Sequence, residues 1–185
     1  NPTYTENGSA VDLFGNVSVG TVEAGQTITR FTLTVSNLAN ASSEQLQIDG
    51  TTIALINGNS GTTTANGLSY SVSIVSGTAT LTLNKSGGIS SSAAATVIDG
   101  MTYRNTSENP TGSVRTVTLT SISDNGGTAN GGVDTTVLSV SSTVSVVAGN
   151  DAPTISVPGS FSVTVVVAKA ITRLTFSDDD AGSNR

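Results

Sequence analysis

The sequence predicts an all-β fold, a β-sandwich that carries one short helix. Three observations lead there. Ser, Thr, Gly and Val dominate, and the β-branched residues among them favour extended backbone. Apolar residues make up 36% of the chain and fall in short alternating runs, the period of a half-buried strand. Gly, Asn, Asp and Pro punctuate those runs, as expected of many short strands joined by turns.

Each element follows from its own residues. Phe31, Leu33 and Val35 alternate with Thr32 and Thr34. Leu68, Tyr70, Val72 and Ile74 alternate with serines, and Ala79, Leu81 and Leu83 with threonines. Val75-Ser76-Gly77-Thr78 between the last two runs reads as a hairpin turn. Residues 90–100 run from a serine cap through an alanine stretch to Gly100, the start and stop signals of a helix. It spans about two turns and must rely on packing, through Val97 and Ile98. Residues 114–122 and 137–147 give two further strands. The glycine-rich stretch 123–134 between them lacks the Lys of a phosphate cradle and reads as a hairpin tip. Asp124, Asn125 and Asp134 there are ordinary turn residues before they are ligands of a second, weak Ca²⁺ site.

Composition limits the chemistry. The 185 residues include no His, Cys or Trp, so the usual zinc sites and His-based nucleophilic catalysis are missing. No paired-carboxylate constellation is legible, so no enzyme is expected. The net charge of −6 opposes binding to nucleic acid or anionic lipid. No apolar run reaches transmembrane length, and membrane insertion is not expected. The chain opens on Asn-Pro, which reads as an excerpt from a longer protein.

Asn1-Pro2-Thr3 returns as Ala152-Pro153-Thr154, and Ile28-Thr29-Arg30-Phe31-Thr32 as Ile171-Thr172-Arg173-Leu174-Thr175. Two matches in order give an internal repeat of about 150 residues, far beyond solenoid periods. Residues 1–149 therefore read as one sandwich, and 150–185 as a linker with the opening strands of the next. Near that boundary Asp178, Asp180, Gly182 and Asn184 are spaced D-x-D-x-G-x-N, oxygen donors on alternate residues of a tight loop, which suits Ca²⁺. With Asn150 and Asp151 they suggest a calcium-stiffened joint.

Three pieces carry a resemblance to a known family: Asp99-Gly100-Met101-Thr102-Tyr103-Arg104-Asn105-Thr106-Ser107-Glu108-Asn109-Pro110-Thr111, then Arg115-Thr116-Val117-Thr118-Leu119-Thr120 leading into Ser123-Asp124-Asn125-Gly126-Gly127, and Asn150-Asp151-Ala152-Pro153-Thr154. Together they resemble the tandem cadherin-like repeats of large secreted bacterial RTX-type adhesins. The resemblance implies an Ig-like or cadherin-like Greek-key sandwich with Ca²⁺ at its linkers. It implies Asn150, Asp151, Asp178, Asp180 and Asn184 as metal ligands, with Glu6 as the early-strand acid. Glu6 otherwise reads as a surface carboxylate. The second unit departs from the pattern, since Thr164-Val165-Val166-Val167 holds no acid. So does the first, since residues 37–43 keep no Asp and only Glu44 lies nearby.

The expected function is a structural extender or adhesion repeat outside the cell. Its partners would be neighbouring repeats or subunits, with a surface glycan or protein receptor as ligand. The alternatives are an extracellular filament subunit that donates residues 155–167 to a neighbour, and a carbohydrate-binding module. Arg104 and Arg115 flank Glu108 and read as structural partners of carboxylates across a hairpin, worth under about 1 kcal/mol if exposed. No local residues mark Lys85 or Lys169 as an isopeptide donor.

Overall fold

The structure, a computed structural model, describes residues 1–156 and 175–178. It divides into two compact units, Asn1–Ala148 and Gly149–Arg185. The first unit contains β1 (Thr3–Thr5), β2 (Val11–Asp12), β3 (Ile28–Ser36), β4 (Glu44–Ile48), β5 (Thr51–Ala54) and β6 (Ser60–Thr62). These are followed by β7 (Ser69–Val75), β8 (Thr78–Ile89), the helix α1 (Ser91–Asp99), β9 (Thr102–Asn105), β10 (Val114–Asp124) and β11 (Thr135–Val147). Seven strands form one sheet in the order β1-β11-β10-β3-β8-β7-β6, and four form the other, β2-β9-β4-β5. The fold is thus an all-β sandwich with a short helix.

Alternation sets which face is buried. In β3 the side chains of Phe31, Leu33 and Val35 are buried, and so are Ala79, Leu81 and Leu83 of β8. Leu46 and Ile48 of β4 and Tyr103 of β9 meet them from the smaller sheet within one core. The intervening Thr and Ser residues of β3, β8 and β10 face away from it.

Two hairpins turn on residues that tolerate positive φ. Between β7 and β8 these are Ser76 (φ 48°) and Gly77 (φ 74°). Between β4 and β5 they are Asp49 (φ 51°) and Gly50 (φ 77°), an Asp-Gly pair of the kind that two-residue turns favour. Helix α1 begins at the cap Ser90, whose hydroxyl accepts from the Ala93 N–H at 3.2 Å, and ends at Gly100. Ala94, Val97 and Ile98 bury its inner face.

In the second unit β12 (Thr154–Ser156) pairs antiparallel with β13 (Thr175–Ser177), and Ile155 faces Phe176. Both side chains are exposed. The remainder of the 155–167 strand and of the repeated Ile171-Thr172-Arg173-Leu174-Thr175 lies outside the described residues. No helix among the described residues is long and apolar enough to cross a membrane.

Candidate functional site

Among the described residues the densest polar constellation lies inside the first unit. Glu44 begins β4 on the same face as Leu46 and Ile48, and Arg115 occupies β10 on the same face as Val117 and Leu119. Strand alternation therefore drives both charges into the core. They meet with Arg115 Nε donating to Glu44 Oε2 at 2.9 Å and Nη2 donating to Oε1 at 3.1 Å, neither side chain exposed. This two-point geometry is the strong form of the carboxylate–guanidinium pair.

The pair is surrounded by further bonds. Tyr103 Oη donates to Glu44 Oε2 at 2.8 Å, and the N–H groups of Ala39 and Asn40 donate to Oε1 at 2.8 and 2.9 Å. Arg115 also donates to Asn40 Oδ1, to the carbonyls of Thr111 and Ser113, and to Ser113 Oγ. Asn40 Oδ1 accepts from Asn105 Nδ2 and Thr111 N as well. Tyr4 Oη closes the cluster on the Asn105 carbonyl, with its ring edge-on to Tyr103 at a centroid distance of 6.0 Å. Burial alone would raise the Glu44 pKa. The donors from Arg115, Ala39, Asn40 and Tyr103 outweigh it and hold the carboxyl below its ordinary 4.5. Tyr103 moves the other way, its pKa raised first by burial and then by the Glu44 charge beside it.

The structure sharpens three readings. Arg115 does pair with a carboxylate, that of Glu44, and it does so fully buried. Glu44, the one acid near the Asp-free stretch 37–43, is engaged by a guanidinium. That stretch folds over the Glu44 carboxylate through two N–H donors. Glu6 is buried, not a surface carboxylate, because it directly follows β1 and its N–H donates to the Val147 carbonyl at 2.9 Å.

Glu6 and Glu108 bring carboxylate oxygens within 4.8 Å of each other in the first unit. Beside them a surface cavity of about 300 Å³ is lined by Tyr4, Asn7, Arg104 and Glu108 among others. Two carboxylates at this separation repel each other unless a cation or solvent screens them. Of the other predicted ligands, Asn150 and Asp151 precede β12, with Asn150 Nδ2 donating to the Asp151 carbonyl at 3.0 Å. Asp178 directly follows β13, and Asp180 and Asn184 lie outside the described residues.

The 123–134 stretch is the β10–β11 hairpin tip, closed by the Asp124 N–H on the Asp134 carbonyl at 2.9 Å. Its candidate ligands carry out turn chemistry. Asn125 Oδ1 accepts from Thr27 N and Asp124 Oδ1 from Gly126 N, both at 2.8 Å. Asp134 Oδ1 accepts from Thr135 Oγ1 at 3.1 Å. Lys85 donates to the Gly67 carbonyl at 3.3 Å.

Comparison with known proteins finds no matching family model, no matching curated protein and no matching solved structure.

Proposed function

We propose that the chain is a structural module of a secreted bacterial surface protein, an extender or adhesion unit stiffened by Ca²⁺ where one unit meets the next. The extender reading rests on the internal repeat, in which Asn1-Pro2-Thr3 returns as Ala152-Pro153-Thr154. Strands β1 and β11 pair in parallel, Thr3 opposite Ser145 through Thr5 opposite Val147. The first and last strands of the unit therefore run the same way, and Thr3, level with Ser145, enters beside the end of β11 where the chain leaves.

The buried Glu44–Arg115 network supports a load-bearing role, since it joins β4, β10, β9 and β1 through side-chain bonds. The calcium reading rests on the approach of Glu6 to Glu108 and on the oxygen donors Asn150, Asp151, Asp178, Asp180 and Asn184 in the sequence. Neighbouring units of the same protein are its partners in this reading, and the extracellular setting follows from the adhesin resemblance.

The test is calorimetry of the intact chain with Ca²⁺ and with excess chelator. An ion that binds only the folded form raises the melting temperature by mass action. A Ca²⁺-dependent rise that Glu6→Gln reduces supports the reading. Identical melts with Ca²⁺ and with chelator remove the calcium part.

A second reading, a filament subunit, is favoured by the exposed Ile155–Phe176 pair of β12 and β13. Sedimentation that stays monomeric at high concentration removes it.

A further inference from the structure

The sequence holds five Asn-Gly pairs: Asn7-Gly8, Asn57-Gly58, Asn66-Gly67, Asn125-Gly126 and Asn130-Gly131. Such a pair is a reactive setting for a side-chain amide, because glycine has no Cβ to shield its nitrogen or to restrict the backbone. For reaction, the glycine nitrogen must reach the Asn Cγ, so the side chain has to lean back over its own C-terminal peptide bond. A hydrogen bond that holds either group opposes that motion, since it must break first.

The fold holds four of the five. Gly8 N–H donates to the Thr5 carbonyl and Gly58 N–H to the Val72 carbonyl, both at 2.9 Å. Asn57 Oδ1 accepts from Ile74 N at 2.9 Å, and Asn125 Oδ1 from Thr27 N at 2.8 Å. Asn66 Nδ2 donates to Asp49 Oδ1 at 2.6 Å, and its backbone N–H to Asp49 Oδ2 at 2.9 Å. Asn130 differs. Among the described residues its amide has no hydrogen-bond partner. Asn130 and Gly131 are both exposed, in a short 3₁₀ turn (Ala129–Gly131) that buries no residue. Beyond its chain neighbours, nothing lies within 4 Å of where a Cβ on Gly131 would stand. One backbone bond spans the pair, Gly132 N–H to the Ala129 carbonyl at 3.0 Å. It lies at a solvent-exposed loop tip, where local opening costs least.

We propose that Asn130 is a modification site, the position at which the folded chain first loses a side-chain amide by reaction with water. The Gly131 nitrogen attacks Asn130 Cγ and gives up its proton. The Cγ–Nδ2 bond breaks, ammonia leaves with that proton, and a succinimide ring closes. Water then opens the ring at either carbonyl and leaves aspartate or isoaspartate at position 130. One water is consumed, one ammonia is released, and nothing is oxidised or reduced. The product adds a negative charge to a hairpin tip that already carries Asp124 and Asp134. No buried residue belongs to that turn, so the modified chain keeps its melt. Neither Ca²⁺ nor a neighbouring unit takes part, so the reaction stands apart from the extender reading.

The experiment ages the intact chain in mildly alkaline buffer, with a parallel sample in urea, and follows each Asn-Gly pair by peptide mapping in a mass spectrometer. Isoaspartate is read by enzymatic methyl labelling, and the added charge by native isoelectric focusing. The folded chain should lose the amide at position 130 before the other four, as a mixture of aspartate and isoaspartate. Asn130→Gln should keep the wild-type melt and lack the first acidic species. In urea, where the bonds that hold the other four are gone, all five pairs should react together. Earlier loss at position 7, 57, 66 or 125 of the folded chain overturns the assignment. So does an amide at position 130 that survives in the folded chain while it reacts in urea. The same order of loss in urea as in buffer overturns its structural basis.

Discussion

Glu44 and Arg115 form a two-point ion pair at 2.9 and 3.1 Å with both side chains fully buried. They lie 71 positions apart in the chain, at the start of β4 and near the start of β10. Because they join the smaller sheet to the larger, the pair acts as an internal cross-brace of the sandwich. Most consequences that can be measured follow from its burial.

Removing one partner should cost far more than removing both. Arg115→Met leaves the Glu44 carboxylate buried without its cation, a change of about 3–5 kcal/mol in unfolding free energy. The double variant Glu44→Leu with Arg115→Met replaces the pair by apolar volume and should recover much of that loss. Urea unfolding of the two single variants and the double variant gives the coupling directly. A double variant as unstable as the sum of the singles would contradict the pairing.

Tyr103→Phe removes one donor to Glu44 and leaves the ring packing in place. The expected loss is about 1–2 kcal/mol, the range for a bond to a buried charged acceptor. Equilibrium unfolding at neutral pH measures it, and an unchanged midpoint would count against the 2.8 Å contact.

The pH dependence has a definite sign at each end. Glu44 is held below its ordinary 4.5, so its contribution is present above that value and is lost as pH falls through the folded-state pKa. Tyr103 is raised above its ordinary 10.0, so its contribution is present below 10.0 and is lost as pH climbs through the raised value. Denaturation midpoints should therefore fall at both extremes. The acid limb should flatten in the Glu44→Leu, Arg115→Met double variant, and an acid limb of unchanged depth would show that other carboxylates set it.

The helix depends on its cap. Ser90→Ala deletes the acceptor for the Ala93 N–H and should destabilise the protein by about 1 kcal/mol, whereas Ser90→Asp should be nearly neutral. Thermal melts of both variants separate a capping effect from a general effect of substitution at this position.

The strand runs around residues 31–35, 69–75, 78–83, 114–122 and 137–147 were legible because period-two alternation is a local property. So was α1, whose Ser90 and Gly100 mark its ends within the sequence. Short strands were harder to see. β1, β2 and β6 have three residues or fewer, too few for a period to register, and their pairing partners are remote in sequence. The Asp49-Gly50 hairpin had a clear turn signal and an alternating Glu-Gln-Leu-Gln-Ile strand before it, yet the charge at Glu44 masked that strand's inward face.

The same parity rule contained the buried Glu44–Arg115 pair in outline. Glu44 shares the inward parity of Leu46 and Ile48, and Arg115 that of Val117 and Leu119. Two charges on inward faces must find each other, but one-dimensional order does not say which carboxylate meets which guanidinium. The sequence by itself determined the all-β class, the helix and the turns, because composition and short-range periodicity act locally. Only the tertiary structure decided that Arg115 is buried against Glu44 and that Glu6 approaches Glu108. It also decided that threonines of separate strands stand in register. The reason is that sheet order and register are set by packing between segments far apart in the chain, where a charge is placed by the partner that compensates its desolvation.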